Sequence, residues 1–255
     1  VWNLRDVYDA VTGGYWPNAN NRAIVAGGFT PSYTSVISDF NMASSGTTTS
    51  FGSLDIARGE FGAMSNFTRC VFAGGNETPG GTNSNTLDYV QFATKGNTAN
   101  FGTIGADSQR TQGVGGNATR GVFTEGTSDT NQIQYITINS LGNAVDFGDR
   151  TLSGTYAAGV TSPTRTCFGG AFTPSTSNVI DFIEIATTGN AVDFGDLSNS
   201  IRDAGGCSSS TKGVFMAGIT PSYLNVLDLI TIASQGNATD YGDLTSAARG
   251  NTGVS

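Results

Sequence analysis

The octapeptide GNAVDFGD stands at residues 142–149 and again, unchanged, at 189–196, and GNATDYGD occupies 236–243. Its aromatic-glycine step also occurs in TTTSFGS (47–53) and NTANFGT (97–103). The five aromatics are Phe51, Phe101, Phe147, Phe194 and Tyr241, spaced 50, 46, 47 and 47 residues apart. A second landmark keeps the same period. A basic residue opens an apolar run at Arg22 (RAIVAGG), Arg69 (RCVFAGG), Arg120 (RGVFTEG), Arg165 (RTCFGGA) and Lys212 (KGVFMAG). Two landmarks in one register, five times over, define an internal repeat of about 47 residues.

Each repeat holds four short strand candidates. The first is made of small residues, as in GVGGNA (113–118) and AGGCSSS (204–210), and the second is the VFAGG-type run. The third is apolar on both parities, as in Ile180, Phe182, Ile183 and Ile185, and the fourth contains the aromatic-glycine step. A GNA or GNT turn separates the third from the fourth, since Asn and Gly tolerate positive φ. A strand buried on both faces suits sheets stacked face to face around an axis. Four strands per 47-residue repeat therefore predict an all-β, five-bladed β-propeller over 22–255, with repeats starting near 22, 69, 120, 165 and 212. The small-residue strand is expected innermost, and the segment 247–255 is expected to complete blade one and close the ring. Residues 1–21 fall outside the repeat. Leu4, Val7, Tyr8 and Val11 predict a short helix there, and Trp2, Tyr15 and Trp16 are its candidate anchoring contacts.

Composition narrows the chemistry. The chain has no histidine, which removes imidazole catalysis and imidazole metal ligands. A formal charge of −8 argues against a nucleic-acid partner, and no apolar run reaches the ~20 residues of a membrane helix. Cys70, Cys167 and Cys207 form no CxxC pair and are read as small hydrophobes. The Asp-Phe-Gly triplet resembles the magnesium-binding triplet of protein kinases, but it recurs three times without an HRD loop. A scaffold residue is needed once per blade and a catalytic residue once per protein, so the aromatics are expected to pack between blades. The acid pairs Asp146/Asp149 and Asp193/Asp196 offer hard oxygen ligands, yet blades one and two carry Ser50/Ser53 and Asn100/Thr103 there. No cofactor, no metal and no enzymatic activity are expected.

The order of these strands resembles the kelch repeat, whose second strand ends in a glycine pair. Here the pair is Gly27-Gly28 and Gly74-Gly75, and it decays in the later repeats. The stretches RGVF (120–123), VIDFIEIATTGNAVDFGDL (179–197) and WNLRDVYDAVTGGYWP (2–17) resemble the kelch-like propellers of tailed-bacteriophage virion proteins. That resemblance implies a non-enzymatic structural or appendage module on the phage particle, a fibre or decoration protein, with other virion proteins as partners. The alternative is a lectin-like propeller for host surface glycans. The Thr-Pro-Ser-Tyr loops at 30–33 and 220–223 would then use Tyr33 and Tyr223 for sugar stacking.

Overall fold

The computed structural model describes residues 22–77, 83–105, 111–125 and 130–250. The predicted helix, Trp2, Tyr15 and Trp16 lie outside these residues. The described chain is all β, with five antiparallel sheets in a propeller arrangement. Blade one contains β1 (Arg22–Ala26), β2 (Val36–Asn41) and β3 (Thr49–Ser53). Blade two contains β4 (Gly62–Ser65), β5 (Arg69–Ala73), β6 (Thr86–Gln91) and β7 (Ala99–Thr103). Blade three contains β8 (Thr111–Gly116), β9 (Arg120–Glu125), β10 (Gln132–Thr137) and β11 (Val145–Asp149). Blade four contains β12 (Ala158–Thr161), β13 (Arg165–Phe172), β14 (Thr176–Glu184) and β15 (Val192–Ile201). Blade five contains β16 (Gly205–Ser208), β17 (Lys212–Thr220), β18 (Ser222–Thr231) and β19 (Thr239–Ala248). Strands follow one another in sheet order, so every blade is a meander.

The small-residue strands are the inner ones. β4 packs on β8, β8 on β12 and β12 on β16. A Cβ on Gly206 would lie 2.2 Å from the Gly159 carbonyl oxygen, and one on Gly159 would lie 2.4 Å from that of Val114. No side chain fits between these backbones, which is why the inner strands are poor in large residues. The third strands are buried on both faces: in β14, Ile180 and Ile183, which point to opposite faces, are 0% and 2% exposed.

The segment expected to close blade one begins differently. Ala247 and Ala248 belong to β19, where Ala248 pairs with Leu224 of the same blade. The 47-residue interval maps Gly205–Ser208 onto 252–255, and those residues lie outside the described chain. Blade one accordingly shows three strands in the described structure.

Candidate functional site

The octapeptide makes the joints between blades. Its Gly-Asn turn reaches back to the preceding blade, and its aromatic-glycine step receives the turn of the following one. The amides of Ser53, Thr103, Asp149 and Asp196 donate to the side-chain oxygens of Asn97, Asn143, Asn190 and Asn237, each at 3.1 Å. In return the amides of Thr98, Ala144, Ala191 and Ala238 donate to the carbonyls of Ser53, Thr103, Asp149 and Asp196 at 2.7–2.9 Å. The glycine of the step is needed for close approach. Cβ atoms on Gly52, Gly102, Gly148 and Gly195 would sit 2.0–2.5 Å from the carbonyl oxygens of Gly96, Gly142, Gly189 and Gly236. The Asp149 backbone therefore joins the blades, and within β11 the Asp146 carboxylate accepts from the Gly148 amide at 3.1 Å.

Phe51, Phe101, Phe147 and Phe194 are 2–3% exposed and pack between blades as expected. Tyr241 departs from that expectation, being 65% exposed, because no described residue covers the outer face of blade five. Within a blade the aromatic meets a third-strand ring edge-on, as in Tyr89–Phe101, Tyr135–Phe147 and Phe182–Phe194. The basic landmark lies over those rings and ties them to the next blade. The Arg69, Arg120 and Arg165 guanidinium carbons stand 4.3–4.8 Å from the Tyr89, Tyr135 and Phe182 centroids. They donate to the carbonyls of Ile138, Ile185 and Ala233.

A buried pair completes the joint. Phe72, Phe123, Phe168 and Phe215 are 0–2% exposed and pack into the preceding blade. Directly across the sheet from them stand Asp88, Gln134, Asp181 and Asp228. Each faces a donor group of the preceding blade or of the chain leaving it. Arg58 Nη1 lies 2.9 Å from Asp88, the Gly105 amide 3.3 Å from Gln134, Arg150 Nε 3.1 Å from Asp181 and the Ser198 amide 3.0 Å from Asp228. Burial of Asp88 raises its carboxyl above the ordinary 3.8, because desolvation outweighs the attraction of Arg58. Blade one uses its acid differently. Asp39 accepts from Lys95 at 2.8 Å and Thr49 at 2.6 Å and pairs with Arg22 at 3.1 Å. Burial raises this carboxyl, but those hydrogen bonds and charges outweigh it and leave the net value below 3.8.

The loops after the second strands and the connections between blades share one face, as the strand order requires. The Gly28 amide donates to the Arg58 carbonyl at 3.0 Å, and a bridge joins Arg202 to Ile219. Gly27 and Gly28 have φ of 61° and 108°, and Gly74 and Gly75 have 64° and 104°. These are left-handed values that explain the glycine pair. Tyr33 is half-buried, meets Phe29 edge-on at 5.2 Å and lies against Gly59. Tyr223 is 52% exposed, with the Arg249 guanidinium 5.7 Å from its ring.

At the centre of this face lies the mouth of an axial cavity of about 890 Å³. Glu60, Tyr156, Asp203 and Arg249 stand at that mouth. Glu60, Tyr156 and Asp203 each precede an inner strand by two residues and have φ of 57°, 64° and 56°. Such values in residues other than glycine cost on the order of 1–3 kcal/mol each and gather at functional sites. Here they also chain the mouth together: the Asp203 amide donates to Tyr156 at 3.1 Å, and Gly250 to Asp203 at 2.8 Å. Arg249 pairs with Asp203 at 3.4 Å. Among the described residues no group of three or more His, Cys, Asp or Glu side chains is placed to hold a metal ion. These strained residues carry no common sequence signal, because Glu60, Tyr156 and Asp203 share no residue type.

The architecture defines a five-bladed β-propeller. Among solved structures, that of YjhT superposes with a TM-score of 0.71 at 8% identity, covering 92% of this chain and 84% of that one. At that identity the similarity concerns the fold. No protein-family model and no curated protein sequence matches the chain.

Proposed function

We propose that the chain is a non-enzymatic propeller module of a tailed-phage virion, a fibre or decoration component that binds its partner through the loop face around the axial mouth. The observation that carries the binding role is the make-up of that face. It combines exposed Phe29 and Tyr223, three residues in left-handed strain, and the Arg249–Asp203 pair over a cavity. Rigid aromatic surface beside a charged pair is the composition of a contact site. The virion assignment rests on the wording of the kelch-like repeats, and residues 1–21, with Trp2, Tyr15 and Trp16, are the proposed attachment to another virion protein.

A glycan partner is the second reading, and the Tyr223 ring beside Arg249 and Asp203 favours it. Aromatic rings stack on sugars while the charged groups accept and donate to hydroxyls. A glycan array probed with the intact chain and with Tyr223→Ala separates the two. Binding that the variant loses supports the sugar reading. No sugar bound, with capture of virion proteins that depends on residues 1–21, supports the structural one. Failure of both assays overturns the proposed role.

A further inference from the structure

Four joints between blades are complete in the described chain, and one half of a fifth stands exposed on blade five. Tyr241 occupies the position of Phe51, Phe101, Phe147 and Phe194, yet it is 65% exposed where they are 2–3%. A Cβ on Gly242 would meet nothing within 4 Å, whereas its four counterparts would strike a carbonyl. Leu244 and Ala248 are half-buried where Leu197 and Ile201 are 3% exposed. The stretch TDYGDL nevertheless keeps the wording of VDFGDL in blade four. Blade five has the composition of an internal blade and lacks a covering neighbour among the described residues.

Blade one differs in the opposite sense. A blade docks on its predecessor through three features: the second-strand Phe, the Asp or Gln opposite it, and the turn Asn. Blade one has Val25, Ser38 and Thr47 at these positions. Val25 faces Ser38 in the register that pairs Phe72 with Asp88 and Phe168 with Asp181. Val25 is 56% exposed where those phenylalanines are buried. Thr47 stands one residue after Gly46, where Asn97 follows Gly96. All three docking features are lost together, and only on the face that would look toward a preceding blade. Terminal repeats of an array are atypical because one face has no neighbour. Blade one carries that mark and blade five does not.

We infer that the outer face of blade five is a docking surface for one further blade of this repeat, supplied from outside these 255 residues. The occupant carries a Gly-Asn turn to receive the Asp243 amide, a second-strand Phe to cover Tyr241 and a third-strand acid opposite it. Blade one of the same chain, or of a second copy, offers only Val25, Ser38 and Thr47. The Gly-Asn turns of blades two to five are already engaged within the chain.

Amide hydrogen exchange tests this on two proteins: the 255-residue chain, and the same chain extended by one repeat copied from residues 205–250. In the 255-residue chain the Asp243 amide should exchange on the order of tenfold faster, or more, than those of Asp149 and Asp196. In the extended chain that difference should disappear. A third protein, whose added turn carries Asn237→Thr in the copied repeat, should fold and leave Asp243 exchanging fast. Protection of Asp243 in the 255-residue monomer equal to that of Asp196 would mean that blade one covers the face, and would overturn the inference. Protection that appears only with dimers in sedimentation would overturn it in favour of a second copy. Fast exchange retained in a folded extended chain would overturn it outright.

Discussion

The amide of Asp149 and the side chain of Asn190 meet at 3.1 Å across the joint between blades three and four. The carbonyl of the same Asp149 accepts from Ala191 at 2.7 Å. The two halves of this contact come from two copies of one octapeptide, so each copy docks backwards with its turn and forwards with its strand.

The turn asparagine should therefore matter where it is engaged. Asn190→Ala should destabilise the chain by about 1–2 kcal/mol, leaving the Asp149 amide without its acceptor. Thr47→Ala, at the same position of the blade-one turn, should change stability by less than about 0.5 kcal/mol. Urea denaturation of the two variants checks the contrast.

Gly195→Ala and Gly242→Ala probe the close approach. Both residues have positive φ, 146° and 137°, so both substitutions carry backbone strain. Only at Gly195 does the added methyl also strike a carbonyl, 2.5 Å away. Gly195→Ala should cost the more of the two, by about 1–3 kcal/mol, as read from melting temperatures at equal protein concentration.

The buried Arg150–Asp181 pair links blades three and four with both side chains at 0–1% exposure. Arg150→Met should cost about 3–5 kcal/mol, since it leaves a buried carboxylate without its cation. Adding Asp181→Leu should recover much of that loss. A double-mutant cycle by chemical denaturation measures the coupling.

Asp39 and Asp88 should titrate on opposite sides of 3.8. The Asp39 value is lowered in the folded state. Its stabilisation is present above 3.8 and is lost as pH falls through the folded value. The Asp88 value is raised. The folded state binds that proton more readily, so the Asp88 contribution declines as pH rises from 3.8 through the folded value. Carboxyl NMR titration resolves the two directions, and Lys95→Met should move Asp39 upward.

Thiol labelling at pH 8 should modify Cys207, which is half-buried, before Cys70 and Cys167. Burial pushes both of those thiols up to about 12, so almost no thiolate is present in the folded chain. Equal rates for all three without denaturant would contradict this packing.

Much of the architecture was legible in the sequence because each blade states it again. The blade count, the strand count, the small inner strand and the aromatic packing of Phe51, Phe101, Phe147 and Phe194 are all repeated features. The Gly-Asn turn was legible as a turn, but its asparagine looks identical whether it bonds within its own hairpin or across a joint. The local wording around Tyr241 is that of a packed residue and predicts packing. The exposure of Tyr241 depends on a neighbour that no local pattern encodes. The axial mouth was illegible for the opposite reason: Glu60, Tyr156 and Asp203 share a backbone conformation and no side-chain chemistry.

The joints also carry a direction in time. Each turn asparagine bonds an amide 40–44 residues earlier in the chain. During synthesis, a newly made blade thus meets an acceptor face that has already left the ribosome, and it waits for nothing downstream. Blade one, with Val25, Ser38 and Thr47 asking for no predecessor, is the natural place for that growth to begin, and folding can keep pace with translation one repeat at a time.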